Sequence, residues 1–153
     1  MANLTAGVDL GGTKIQTVIL RARKVVGQNR VSTPHTGPVD VVKAIADTVT
    51  AALHEAGAPR TELRSIGVGS PGEIDSETGT VANASNLPSM IDPFPLGPSV
   101  SKLLGRVPTK VDNGAHGSLG MIPQVVQQMD DFLQPGGKVH NTCGTSCVFP
   151  LHK

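Results

Sequence analysis

Residues 9–14 read DLGGTK, and this short run brings together an acid, two glycines, a hydroxyl and an ammonium. A carboxylate at the end of an apolar run can hold a divalent cation, directly or through water. Paired glycines let the backbone approach a ligand closely and turn its N–H groups toward anionic oxygens. Thr13 adds a hydroxyl and Lys14 a positive charge. Asp9, Gly11, Gly12, Thr13 and Lys14 together suit Mg²⁺ and phosphate oxygens, although a plain hairpin turning on Gly11-Gly12 would use the same glycines. The run is not a Walker A loop, because no Gly-x₄-Gly-Lys-Ser/Thr pattern leads from a strand into a helix.

Three further stretches carry polar groups at the ends of apolar runs. In GVGSPGEID at 67–75, Ser70-Pro71-Gly72 forms a tight loop able to present backbone groups to a polar ligand, or an ordinary turn. In ASNLP at 84–88, Asn86 can hydrogen-bond a hydroxylated ligand or cap a turn. In VDNG at 111–114, an acid and an amide are followed by a glycine.

The elements that must position these groups follow from periodicity. Residues 4–9, 14–20 and 24–33 read as strands rich in β-branched residues, and Gly11-Gly12 reads as the turn joining the first two. Three such strands make a meander. Residues 39–56 read as a helix, with Val42, Ile45, Val49, Leu53 and Ala56 on one face. Pro38 sits at its start and Gly57 just past its end, the expected asymmetry of helix termini. Residues 65–70 form a short buried strand, and the prolines and glycines of 70–95 make that segment mostly loop. A short helix over 98–104 and a strand over 107–111 follow. The order describes an α/β layer on a mixed sheet. With no aromatic residue before Phe94, its core must be built from Val, Ile, Leu and Ala.

In this order, GVDLGGTKI, GVGSPGEIDSETGTVANASNLP and VPTKVDN resemble the N-terminal lobe of the ROK family (repressors, open reading frames and kinases), over about residues 4–113. The resemblance implies the actin-like, ribonuclease-H-like ATPase fold, with the second lobe missing from this chain. It implies an ATP-dependent hexose kinase of the glucokinase type, using ATP and Mg²⁺. On it, Asp9, Gly11, Gly12, Thr13 and Lys14 face the phosphates and the cation. Gly72, Asn86 and Asn113 line the sugar pocket. The family's catalytic base is the aspartate after that asparagine, and here the position is Gly114, which has no side chain to accept a proton. Asp112 matches the motif's first acid instead. Met90 and Ser89 stand where the family often has an aromatic and a glycine. The family's second phosphate motif and its zinc-binding His/Cys cluster have no counterpart here. His140, Cys143, Cys147 and His152 are too few and too widely spaced to replace that cluster, so no metal centre is expected. The expectation is a truncated kinase lobe, inactive alone. The alternative is a non-catalytic sugar-sensing or interaction module derived from such a lobe. The first alternative is disfavoured because the phosphate motif begins by residue 9, with no room before it for a helix-turn-helix.

Composition excludes other partners. The 153 residues carry a net charge of +1, from 13 basic and 12 acidic side chains that are interspersed. Neither nucleic acid nor a membrane surface would be bound by bulk charge. No apolar run approaches the roughly 18 residues of a membrane helix, and no charged segment followed by an apolar one opens the chain. The expected address is the cytoplasm. From residue 114 onward the text changes, with only Asp130, Asp131, Lys138 and Lys153 charged. One helical pattern persists at 123–134, where Val125, Val126, Met129, Phe132 and Leu133 share a face that would dock on the lobe or drive self-association into a homo-oligomer. The segment therefore reads either as an out-of-frame end or as a natural replacement for the second lobe.

Overall fold

A computed structural model describes residues 3–22, 24–84, 87 and 90–113. Strands β1 (Leu4–Leu10), β2 (Lys14–Arg21) and β3 (Lys24–Ser32) form the antiparallel meander. Helix α1 (Pro38–Glu55) leads to β4 (Leu63–Ser70), which pairs in parallel with β1. A small hairpin, β5 (Glu73–Asp75) and β6 (Thr80–Ala82), and helix α2 (Leu96–Leu103) precede β7 (Thr109–Asn113), which pairs in parallel with β4. The five-stranded sheet thus has the order β3-β2-β1-β4-β7, antiparallel on one side and parallel on the other.

Both helices are placed by their apolar residues. α1 buries Val41, Val42, Ile45, Ala46, Val49, Ala52 and Leu53 and packs over β1, β2 and β3. α2 lies beside it, against β7, and buries Leu96 and Val100. The facing residues of the sheet are Leu4, Ala6, Val8 and Leu10 of β1, Ile15 and Ile19 of β2, Ile66 and Val68 of β4, and Val111 of β7. This core is aliphatic, as the composition requires, with Met90 fully buried in it. α1 approaches β3 closely at Gly27, where a Cβ would stand 2.2 Å from the Ala52 carbonyl oxygen.

Three local expectations need correction, whereas the described residues of 70–95 are mostly loop, as expected, around the small β5–β6 hairpin. Asp75 folds the β5–β6 turn by accepting the Glu77 amide at 3.1 Å through Oδ1 and the Gly79 amide at 2.8 Å through its carbonyl. The strand placed at 107–111 runs from Thr109 to Asn113. Pro108 has no N–H to give the ladder, and the Val107 carbonyl is taken by the hydroxyls of Ser101 and Thr109. The second helix begins two residues earlier than 98, at Leu96. The β1–β2 connection is wider than a two-residue turn. Leu10 pairs with Ile15, and the Gly11 amide donates to the Lys14 carbonyl at 3.0 Å, closing a four-residue loop in which neither glycine takes a positive φ. The pattern at 123–134, Gly114, Asn86, Ser89 and the four His/Cys residues of the C-terminal segment lie outside the described residues.

Candidate functional site

β1, β4 and β7 run parallel, so their C-terminal ends come out at one edge of the sheet, where ligands of open α/β sheets sit. Asp9 near the end of β1 is level with Gly69 of β4, and Gly69 with Asp112 of β7. The same row continues through Gln16 of β2 to Arg30 of β3. Strand alternation turns this row to the face opposite Val8, Val68 and Val111, away from α1 and α2. Parallel strands lie about 4.8 Å apart, which puts Asp9 and Asp112 roughly 10 Å from each other, with no side chain on the strand between. Both acids are half-buried. The Asp112 carboxylate accepts the Asn113 amide at 2.7 Å.

The DLGGTK loop follows directly from Asp9. Gly11 and Gly12 are half-buried, and Thr13 and Lys14 exposed. A Cβ at Gly11 would stand 3.0 Å from the Lys14 carbonyl oxygen, a tight contact that a larger residue could keep only by a small shift of the loop. The segment after β3 braces it. The Thr33 hydroxyl donates to the Gly11 carbonyl at 2.8 Å, and the Thr33 amide to the Thr13 carbonyl at 3.0 Å. His35 Nε2 lies 3.1 Å from the Gly12 carbonyl. That oxygen can only accept, so Nε2 carries the hydrogen. The carbonyls of all four loop residues are thereby engaged, whereas the hydrogen bonds among the described residues use neither the Gly12 nor the Thr13 amide.

This donor set suits a phosphate with its cation. Mg²⁺ is commonly held by one or two carboxylates together with phosphate oxygens and water, rather than by a cage of protein ligands. Asp9 supplies such a carboxylate beside a loop whose Gly12 and Thr13 amides donate no hydrogen bond among the described residues.

On the other side, β4 ends in Ser70, which is buried and level with Asn113 of β7. Beyond it Gly72 has a φ of 96°, and a Cβ there would stand 2.6 Å from the Ala82 carbonyl oxygen. Asn113 Nδ2 donates to the Gly72 carbonyl at 3.4 Å. Of the three residues assigned to a sugar, Gly72 and Asn113 therefore meet, on the same edge as Asp9. A shallow cleft of about 260 Å³ lies elsewhere, between the β5–β6 turn, α2 and the start of β7, and contains none of these residues.

Thr33 and His35 were not legible as site residues. His35 reads as a loop residue, and it is one. Its role and that of Thr33 depend on the β2–β3 register, in which Lys14 pairs with Ser32 and so carries the next residues past the loop. A meander whose third strand ends level with a glycine loop is the signal that could have pointed to them.

The comparisons with known proteins bear on the family and the fold. The ROK family model matches residues 5–128, running past Asn113. The N-acetyl-D-glucosamine kinase of Salmonella newport is 34% identical over 111 residues, which cover 72% of this chain and 34% of that protein. The crystal structure of the ROK hexokinase from Thermus thermophilus matches with a TM-score of 0.65 at 32% identity, over 73% of this chain and 35% of that one. A ROK family glucokinase from Streptomyces griseus, solved in complex with glucose and AMPPNP, matches with a TM-score of 0.63 at 32% identity, over 74% of this chain and 34% of that one. The chain spans about a third of the length of the curated relatives it matches.

Proposed function

The chain belongs to the ROK family, and on that premise we propose that it forms the phosphate-facing lobe of an ATP-dependent hexose kinase. The supporting observation is the gathering of Asp9, the 11–14 loop, Gly72 and Asn113 at one edge of three parallel strands. In this reading Asp9 holds Mg²⁺. Gly12 and Thr13 offer backbone and hydroxyl donors to the β- and γ-phosphates, Gly11 lets the loop come close to them, and Lys14 adds positive charge. Asn113, oriented by the Gly72 carbonyl, and Asn86 contact sugar hydroxyls. Mg²⁺ bound there neutralises charge on the phosphate oxygens.

The substrate class is a hexose, by analogy with relatives named for glucose and N-acetyl-D-glucosamine. Transfer also needs a base for the sugar hydroxyl, and residue 114 is glycine. Groups on both sides of the substrates must close to position them and exclude water. The 153 residues are therefore read as binding without turning over.

Amide chemical shifts during titration with Mg·ATP, then with glucose or N-acetyl-D-glucosamine, test the reading. Shifts at residues 9–14 with nucleotide and at 72 and 113 with sugar are expected. Asp9→Asn should weaken the Mg²⁺-dependent part of nucleotide binding about tenfold, the loss of roughly 1.4 kcal/mol. No response at residues 9–14 to millimolar Mg·ATP would overturn the assignment.

A further inference from the structure

We propose that Thr33 and His35 are positioning residues that hold the Gly11–Lys14 loop in its anion-receiving form. The inference rests on the phosphate reading of that loop and adds residues that touch neither phosphate nor sugar in it.

A loop of peptide units presents both signs of partial charge. Its amides attract a phosphate and its carbonyls repel one. Four consecutive units bind an anion only if their carbonyls are directed elsewhere and kept there. In this loop the engagement is complete on the carbonyl side. Gly11 gives its carbonyl to the Thr33 hydroxyl at 2.8 Å and Gly12 gives its own to His35 Nε2 at 3.1 Å. Thr13 and Lys14 give theirs to the amides of Thr33 and Gly11, each at 3.0 Å. Two of the four partners are side chains, and both come from the few residues after β3 (Lys24–Ser32). Thr33 is buried, at 6% exposure, so its hydroxyl competes little with water for the Gly11 oxygen. A hairpin serving only as a connection needs the Gly11–Lys14 bond and no clamp on Gly12.

Glycine makes the clamp necessary. Adjacent Gly11 and Gly12 can adopt many conformations, including ones that flip the peptide between them and aim a carbonyl at the ligand. The Thr33 and His35 bonds remove that freedom before any ligand arrives, which is preorganisation. His35 can act in its neutral Nε2–H tautomer or as imidazolium, since both donate from Nε2.

The test uses the 153-residue chain and the variants Thr33→Val, Thr33→Ser, His35→Ala and the Thr33→Val/His35→Ala pair. Two readouts are needed: exchange of the Gly11 amide relative to those of Val8 and Val68, and the Mg·ATP dissociation constant from the Gly12 and Thr13 amide shifts. In the double variant, Gly11 exchange should rise about tenfold, the weight of roughly one hydrogen bond or two. The dissociation constant should rise by a comparable factor, and Thr33→Ser, which keeps the hydroxyl, should leave both at the parent values. A purely structural role would lower thermal stability without moving the dissociation constant. Unchanged Gly11 exchange overturns the proposal, and so does faster exchange with unchanged affinity. Should the parent chain not bind Mg·ATP, the phosphate reading fails, and the clamp is judged on exchange alone: a tenfold rise upholds it and no change removes it.

Discussion

Asn113, the last residue of β7, donates its side-chain amide to the carbonyl of Gly72 at 3.4 Å, tying the end of one parallel strand to the loop that leaves its neighbour. The bond depends on the path of that loop. Gly72 holds a φ of 96°, and a Cβ would stand 2.6 Å from the Ala82 carbonyl oxygen and 3.0 Å from Ala84. Both neighbours are troublesome, since one is backbone and the other a buried alanine. Gly72→Ala should destabilise the chain by about 1–3 kcal/mol, the scale of a strained backbone position. It should also displace the carbonyl that orients Asn113. Urea unfolding measures the first effect and the Asn113 side-chain amide shift the second. Parent-like values of both would show that the loop adapts freely.

A second expectation concerns the interface between α1 and the sheet. Thr17 is fully buried on β2, and its hydroxyl has no hydrogen-bond partner among the described residues. Its register partner Asn29 accepts the hydroxyl of Thr48, also fully buried, at 2.8 Å. The two threonines look alike in sequence and should respond oppositely to the same change. Thr17→Val removes an unpaired hydroxyl at nearly constant volume and should stabilise by about 1 kcal/mol. Thr48→Val strips Asn29 of its donor and should destabilise by about 1–3 kcal/mol. Chemical denaturation of the two variants measures the signs, and equal signs would refute this account of the core.

The sequence pattern was informative wherever one physical rule governed a long run. β1, β2 and α1 are continuous apolar patterns, and their observed limits differ from the expected ones by a residue. The β5–β6 hairpin was hidden because three-residue strands have no period to detect, and because Pro71, Gly72 and Gly79 suggest loop. β7 moved because the proline rule acts on a single hydrogen bond. At the site, residue types alone singled out Asp9 and the glycine loop. The relation of Asp9 to Asp112 through Gly69, and of Thr33 and His35 to the loop, required strand order and register. Those depend on which strands pair, and a single sequence does not contain that directly.

Gly27 provides a test of the packing itself. Its missing Cβ would stand 2.2 Å from the Ala52 carbonyl oxygen and 2.9 Å from Ala56. Neither is the flexible end of a side chain, so α1 must move off β3 to admit a methyl group. Gly27→Ala should therefore lower stability by about 1–3 kcal/mol, as overpacking does in a well-filled core. Because Gly27 lies far along β3 from the end that leads to Thr33, the glycine loop should keep its amide shifts. A variant as stable as the parent would mean that α1 sits farther from the sheet than described.

The last expectation concerns turnover. On the proposed reading the base for the attacking hydroxyl belongs at residue 114, where glycine offers none. If that were the only deficit, Gly114→Asp would restore activity. The chain, however, spans about a third of the relatives it matches, and the groups that close over both substrates must come from more than one edge of one sheet. A positioned base contributes typically 10²–10⁴-fold, far less than the whole acceleration of an enzyme, so adding it to an unclosed site leaves most of the barrier in place. Both the parent and Gly114→Asp should therefore show no ATP-dependent phosphorylation of glucose in a coupled assay, above the background of the same protein carrying Asp9→Asn. Turnover by Gly114→Asp above that background would show that this lobe positions its substrates by itself, and the reading of the chain as binding without turnover would fall.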